Sequence, residues 1–390
     1  METQSTRPGS RVAALDGLRR ITIILVLLTH SWIIYPKETI EAIPVVRGLF
    51  HGGSVTVFFV VGGFIVTHNL PRERERGVLD PFRFYLRRIV RIGVQLVPMA
   101  AAVLLMNRLD PTDATSDGTT QRSLVSVLTY TWNTYLVDHA LEARADLGHL
   151  WYLSVQQQVY LVLPLAVILL AGFRRVFAVG LGVAAVLVVV NRYVVLHDGG
   201  TWPASLLVTT RADGLLLGAL IAVLLPGLGL LDRRDRWLVP GCLAVLGGLV
   251  LLSPELPQDQ YLREWGLAFT LVSALLVATL VQGMDGHSSV PPRTTARGFL
   301  EHPALQWLGN ASLAIYVWHY PLFWAVSRHT QDWSPGSRTV LAVALLAVVV
   351  YAAQRFIEEP TRRWLSRSTL FRSPPRPTGS EEPRGARHAS

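Results

Sequence analysis

The chain has 390 residues, 51% of them hydrophobic and only 16% charged, with a formal net charge of +9. Soluble domains carry about 25% charged residues and disordered chains are polar, so a mean hydropathy of +0.36 excludes both. A single cysteine, Cys242, excludes a disulfide framework and any cysteine-based zinc or iron–sulfur site.

A membrane-spanning helix needs about 20 predominantly apolar residues. Such stretches recur at 21–36, 53–68, 89–106, 149–171, 176–196, 203–225, 238–253, 265–283, 305–327 and 339–357. The expected fold class is all-α, a polytopic protein of the cell membrane with about ten transmembrane helices. The first stretch follows Arg19-Arg20 and runs on without a small-residue cleavage site, so no removable signal peptide is expected. With the N-terminus and every second loop placed on one side, most of the 36 Lys and Arg residues fall there, while Asp and Glu divide evenly. Only the positive charges are biased, which predicts that both termini are cytoplasmic. The lipid bilayer therefore accounts for the basic balance, and no nucleic-acid partner is needed.

Residues 1–365 read as one membrane domain, and residues 366–390, rich in Ser, Pro, Arg and Gly, as a disordered tail. The longest loop expected outside the cytoplasm, 107–148, carries Asp110, Asp113, Asp117, Asp138, Glu142 and Asp146. Its aromatics Tyr130, Trp132 and Tyr135 are predicted to lie against the bilayer interface.

Ionisable groups inside apolar spans are costly and mark function by default. In chain order the first is His30, at the end of an apolar run. Arg19 lies eleven residues earlier, which on an α-helix places it within about 20° of the same face and ~16 Å away along the axis. Asp16 falls near that face as well. An arginine at the inner surface can hold an anionic ligand while a neutral imidazole deeper in acts as general base. The bland alternative is a histidine bonded to a Ser or Thr of a neighbouring helix. Gly52-Gly53 and Gly62-Gly63, around the second stretch, permit close helix contact. Arg83, Arg87, Arg88 and Arg91 then form a patch at one helix end. Arginine forks match phosphate oxygens, although orientation by charge or anionic headgroups would explain the same patch.

His149, Gln156 and Tyr160 share a helix face in the next polar block, where three consecutive glutamines enter a span. Arg211 and Asp213 lie within a span two residues apart, so they point away from each other and need separate partners. His319, within Tyr316-Val317-Trp318-His319-Tyr320-Pro321, sits where a proline frees a backbone carbonyl. Glu358-Glu359-Pro360 and Arg362-Arg363 read as structural anchors.

These blocks, in this order, resemble the acyltransferase-3 family of integral membrane O-acyltransferases, which includes bacterial polysaccharide O-acetylases. The resemblance rests on Leu15-Asp16-Gly17-Leu18-Arg19 with His30, and on Ser54 to Phe64. It extends through Phe84 to Ile92, His149 to Tyr160, Arg211 to Gly214, Ser312 to Pro321 and Glu359-Pro360. It implies a core of about ten helices, an acyl-CoA co-substrate (usually acetyl-CoA) reached from the cytoplasm, and a hydroxyl acceptor, commonly on a sugar. It further implies that His30 is the catalytic base, that Arg19 is its signature partner, and that Arg87, Arg88 and Arg91 contact the CoA phosphates or hold the helix end. Where the family commonly has Glu this chain has Gln156, which does not ionise. Either that position serves by hydrogen bonding alone or the activity is altered. No additional esterase-like domain is expected, so the chain would transfer the acyl group itself or hand it to a partner.

The function expected is a membrane O-acyltransferase with no bound cofactor and no metal. Asp16 and Arg19 accompany His30 in catalysis, and His149, Gln156, Tyr160, Arg211, Asp213 and His319 contact substrate. The acceptor is a glycan, a lipid-linked sugar or a glycosylated small molecule such as a macrolide. The rival class is a transporter-like or catalytically degenerate protein of the same fold, with Arg211, Asp213 and His319 along its path. His30 separates the two, because a transporter does not need it for thioester cleavage.

Overall fold

The computed structural model describes residues 13–43, 47, 53–75, 80–170, 172–224, 235–252, 258–281 and 303–368. The predicted tail beyond 368 and Gly52 lie outside them. The main helices are α1 (Ala13–Thr29), α2 (Gly53–Glu75), α3 (Pro81–Leu109), α4 (Asp117–Leu128), α5 (Trp132–Asp138), α6 (Trp151–Leu170) and α7 (Arg174–Asp198). They continue as α8 (Asp213–Leu224), α9 (Asp235–Leu252), α10 (Gly266–Leu280), α11 (Pro303–His329), α12 (Pro335–Ala352) and α13 (Glu359–Arg367). No strand occurs among the described residues. Local chemistry sets several starts. Asp80 accepts from the Arg83 backbone N–H ahead of Pro81, and Ser334 accepts from the Ser337 N–H ahead of Pro335. Each pairs an N-cap acceptor with a proline whose missing N–H is not required in the first turn.

The apolar stretches of the sequence fall on helices wherever they are described, with a break in the sixth. Among the described residues, five helical segments are long and apolar enough by themselves to cross a membrane: 81–109, 145–170, 174–198, 258–280 and 335–367. Shorter apolar helices run over Val55–Pro71, Asp213–Leu224 and Trp237–Leu252. The sixth stretch is not one helix: it divides into Thr201–Leu206, Val208–Arg211 and α8, with extended backbone at Leu207. The outward faces are those of a multi-pass membrane protein. Helix α7 exposes Val176, Val179, Val183, Val186, Leu187, Val190 and Val194, while its Arg192 is buried. A soluble helix shows the opposite pattern.

The helices pack around two apolar cores, one centred on α1, α3, α6 and α11, the other on α2, α9 and α10. The tightest contact joins α2 to α8. A Cβ on Gly63 would meet the Leu215 carbonyl oxygen at 1.9 Å, and one on Gly218 would meet the Val60 carbonyl oxygen at 2.0 Å. Backbone does not yield as a side chain does, so both positions require glycine.

The 107–148 region has structure of its own. It folds into α4 and α5, and Trp132 is completely buried, with its indole N–H donating to the Leu147 carbonyl at 2.9 Å. Trp132 therefore belongs to the core and not to an interfacial belt. The same region is pinned by Arg144, only 1% of whose side chain is exposed and whose guanidinium meets Asp113 at 2.7 Å and Asp146 at 2.6 Å. Burial alone would raise the Asp113 carboxyl, but hydrogen bonds from Arg144 and Thr115 outweigh it and hold it below the usual carboxylate range.

Arg144→Met strands two buried carboxylates and is expected to cost about 3–5 kcal/mol, read as a lower midpoint of unfolding in detergent. Ionised Asp113 contributes stability at neutral pH that is lost as pH falls through its depressed folded value. Acid destabilisation should accordingly be smaller in Asp113→Asn than in the wild type. Gly63→Ala should lower the unfolding midpoint, whereas Gly93→Ala, where nothing lies within 4 Å of an added Cβ, should not.

Candidate active site

Two cavities meet at a wall of histidine and tyrosine. The first, about 160 Å³, is lined by Arg19 of α1, Arg88 and Arg91 of α3, Gln156 and Tyr160 of α6, and Tyr316 of α11, among others. The second, about 630 Å³, is lined by His30, His149, Trp151, Arg211, Tyr320 and Trp324, among others. Tyr152 and Tyr316 face the first cavity. Trp151 and His149, which face the second, pack against them with ring centroids 6.3 Å and 5.1 Å apart.

Three elements bring the histidines together. His30 opens the 3₁₀ turn that follows α1, His149 lies in the 3₁₀ turn before α6, and His319 lies in the interior of α11. The His30 and His319 rings stack at 5.1 Å, His149 and His319 meet edge-on at 5.0 Å, and His149 stacks on Tyr320 at 4.8 Å. Tyr316 donates its hydroxyl to the His149 backbone carbonyl.

The hydrogen bonds set proton positions. His319 Nδ1 lies 3.0 Å from the Ile315 carbonyl and 2.8 Å from the Tyr316 carbonyl. Carbonyls only accept, so Nδ1 carries the hydrogen, and in the neutral ring Nε2 is an acceptor. His30 Nδ1 lies 2.9 Å from that Nε2 and must donate to it. The lone pair of His30 is then on Nε2, the one nitrogen not spent on the protein.

The arginine cavity is organised differently. The Arg88 guanidinium sits 3.5 Å over the Tyr160 ring, and its Nε donates to Gln157 at 3.0 Å. Gln156 donates to the Tyr152 hydroxyl at 3.1 Å and to the Tyr160 hydroxyl at 3.4 Å. Gln158 donates to the Tyr130 carbonyl and to Asn133, each at 2.8 Å. The three glutamines therefore have three separate jobs, and only Gln156 lines the cavity. Gly62 is part of this construction, because a Cβ there would lie 2.3 Å from the Tyr160 hydroxyl.

Of the residues singled out in sequence, Arg19, Arg88, Arg91, Gln156 and Tyr160 share the first cavity, while His30, His149 and Arg211 share the second. His319 backs His30 between them. Arg19 and His30, expected on one helix face, line different cavities, because α1 ends at Thr29 and His30 begins a 3₁₀ turn. Three lie apart. Asp16 sits 4.0 Å from Arg19, Arg87 pairs with Glu73 at 3.6 Å, and Asp213 pairs with Arg192 at 3.0 Å, none of them lining either cavity. Sequence reading missed Arg192, although an arginine inside the apolar run of α7 was a visible signal. It also missed Trp202 and Trp324, which line the second cavity and carried none. No group of His, Cys, Asp or Glu among the described residues has metal-site geometry.

Comparison with known proteins gives a family. The Acyltransferase domain family (Acyl_transf_3) matches residues 12–354. The chain is 24% identical over 367 residues to the O-acetyltransferase OatA of Staphylococcus aureus (strain NCTC 8325 / PS 47), covering 90% of this chain and 57% of that one. It is 24% identical over 377 residues to the peptidoglycan O-acetyltransferase OatA of Listeria monocytogenes, covering 90% and 56% respectively. The chain thus spans little more than half the length of these relatives. No solved structure matches it significantly. With the family matched over nearly its whole length, and with the family's basic and histidine blocks gathered at one pair of cavities, the chain belongs to the acyltransferase-3 family.

Proposed function

We propose that the chain is a membrane O-acyltransferase, moving an acyl group, acetyl in the first instance, from acyl-CoA to a hydroxyl of a sugar-containing acceptor. The observation that carries this reading is the relay in which backbone carbonyls fix His319 and His319 fixes His30, leaving Nε2 of His30 bare at the second cavity. That is the arrangement of an oriented general base. The relatives support the acceptor class, one being named a peptidoglycan O-acetyltransferase. A glycan, a lipid-linked sugar and a glycosylated small molecule all present the required hydroxyl.

In this reading both termini are cytoplasmic, and the donor arrives from the side of the arginines. Arg19, Arg88 and Arg91 supply positive charge for the CoA phosphates, while Arg87, held by Glu73, stays at the rim. The thioester reaches the wall of Tyr152 and Tyr316, and the acceptor occupies the larger cavity. His30 Nε2 takes the proton of the acceptor hydroxyl as its oxygen bonds to the thioester carbonyl carbon. The C–S bond then breaks, and the CoA thiolate leaves and recovers the proton from His30. No covalent acyl-enzyme is needed, and the buried Cys242 packs in the second core away from both cavities. His319 is a positioning residue: it holds the His30 tautomer and shares the charge that His30 gains.

The test is CoA release from acetyl-CoA by membranes carrying the protein, with host cell-envelope extract as acceptor. His30→Ala should lower the acceptor-dependent rate by about 10²–10⁴-fold. His319→Ala should lower kcat with little change in KM, and His319→Gln, whose amide oxygen can accept from His30 Nδ1, should recover part of it. Equal rates in wild type and His30→Ala would remove the base and favour the transporter-like reading. Gly62→Ala, which displaces Tyr160 beneath Arg88, should raise the KM for acetyl-CoA several-fold.

A further inference from the structure

The second cavity contains a buried cation that the acyl-transfer step above does not use. Arg211 is 7% exposed, and its Nε is buried with no hydrogen-bond partner among the described residues. Its neighbour Asp213 acts on it only at a distance and makes no ion pair or hydrogen bond with it. That carboxylate is taken by Arg192 at 3.0 Å, with Thr270 at 3.5 Å. The guanidinium instead lies 5.6 Å from the centre of the Trp151 ring. The cluster of Arg192, Asp213 and Arg211 therefore holds two cations against one anion. Arg144 also lines this cavity, but it is committed to Asp113 and Asp146. A buried, uncompensated charge is expensive, and one facing a cavity is compensated when a ligand brings the opposite charge.

The rest of the lining suits a sugar. Trp151, Trp202, Trp324 and Tyr320 provide flat apolar faces, and Thr201, Ser205 and Gln258 provide hydroxyl and amide groups. Concave sites of this kind combine apolar walls with a few polar groups that fix orientation. We propose that Arg211 receives an anionic substituent, a carboxylate or a phosphate, on the saccharide that accepts the acyl group. The planar fork of arginine matches either group bidentately. Arg211 is thus a specificity-determining residue, and the acceptor class is an anionic saccharide. The inference rests on the acyltransferase reading for the role of the cavity, but its test does not require turnover.

The full-length protein in zwitterionic micelles is titrated with glucuronate, glucose 6-phosphate and glucose, and binding is followed by ligand-observed saturation-transfer NMR. Wild-type protein should bind one or both anionic sugars about 10-fold or more tighter than glucose, the advantage expected of a charge-assisted contact. Arg211→Gln should erase that advantage while keeping the affinity for glucose. Arg211→Lys, which keeps the charge without the fork, should retain part of it and remains informative if the Gln variant fails to fold. An anion preference that survives in Arg211→Gln overturns the assignment, as does equal or absent binding of all three sugars to the wild type. Glycerol 3-phosphate binding as tightly as the anionic sugars would reassign the site to a lipid headgroup. CoA release that depends on His30, without any anion preference, sinks this inference alone. Anion preference without CoA release sinks only the acyltransferase reading.

Discussion

A charge buried away from water has to be answered, and in this bundle that requirement arranges most of what is not apolar. Arg144 is answered by two carboxylates, and in being so it ties the segment between α3 and α6 into the core. Arg192 turns inward from the lipid-facing side of α7 and is answered by Asp213. Arg88 is answered by the face of Tyr160 and by Gln157. Arg211 is the contrast. It shares the interior with these groups but lines a cavity, with no hydrogen-bond partner for its Nε among the described residues.

Hydrogen-bond direction does for the histidines what charge does for the arginines. Carbonyls that can only accept force one tautomer on His319, and that tautomer forces one on His30. The lone pair is thereby delivered to the cavity side without any carboxylate in the relay. Uncharged orienting groups suit a span, where an additional buried anion would need a partner of its own. The tyrosines Tyr152 and Tyr316 line the first cavity and pack against Trp151 and His149 of the second.

None of this stands without close helix contact. The carbonyls of Val60 and Leu215 come within reach of Gly218 and Gly63, which brings α8 directly against α2. Helix α8 starts at Asp213, so this approach also sets where Arg192 and Asp213 meet and where Arg211, just before it, opens into the cavity. One residue earlier on α2, Gly62 leaves room for the Tyr160 hydroxyl over which Arg88 is stacked.

The sequence by itself determined the class of protein. Apolar runs of bilayer length, a bias in positive charge and a near absence of cysteine specify a helical membrane bundle, because hydropathy and periodicity are local properties. It also picked out His30, Arg88, Gln156, Tyr160, Arg211 and His319, because a polar group in an apolar run is costly wherever the chain folds. Local pattern did not divide these residues into two cavities: Arg19 lies in α1 and His30 in the turn that follows it, yet they line different cavities. It showed that Arg211 and Asp213 need separate partners but not what those partners are. Two residues apart on the chain, they differ only in that α7 brings Arg192 to one and leaves the other facing open space. Nor did local pattern show how 107–148 folds, because the burial of Trp132 and Arg144 depends on Leu147, Asp113 and Thr120, more than a dozen residues from them. Which polar groups are satisfied within the chain, and which are left for a ligand, is decided by the distance between helices, and only the tertiary structure contains that.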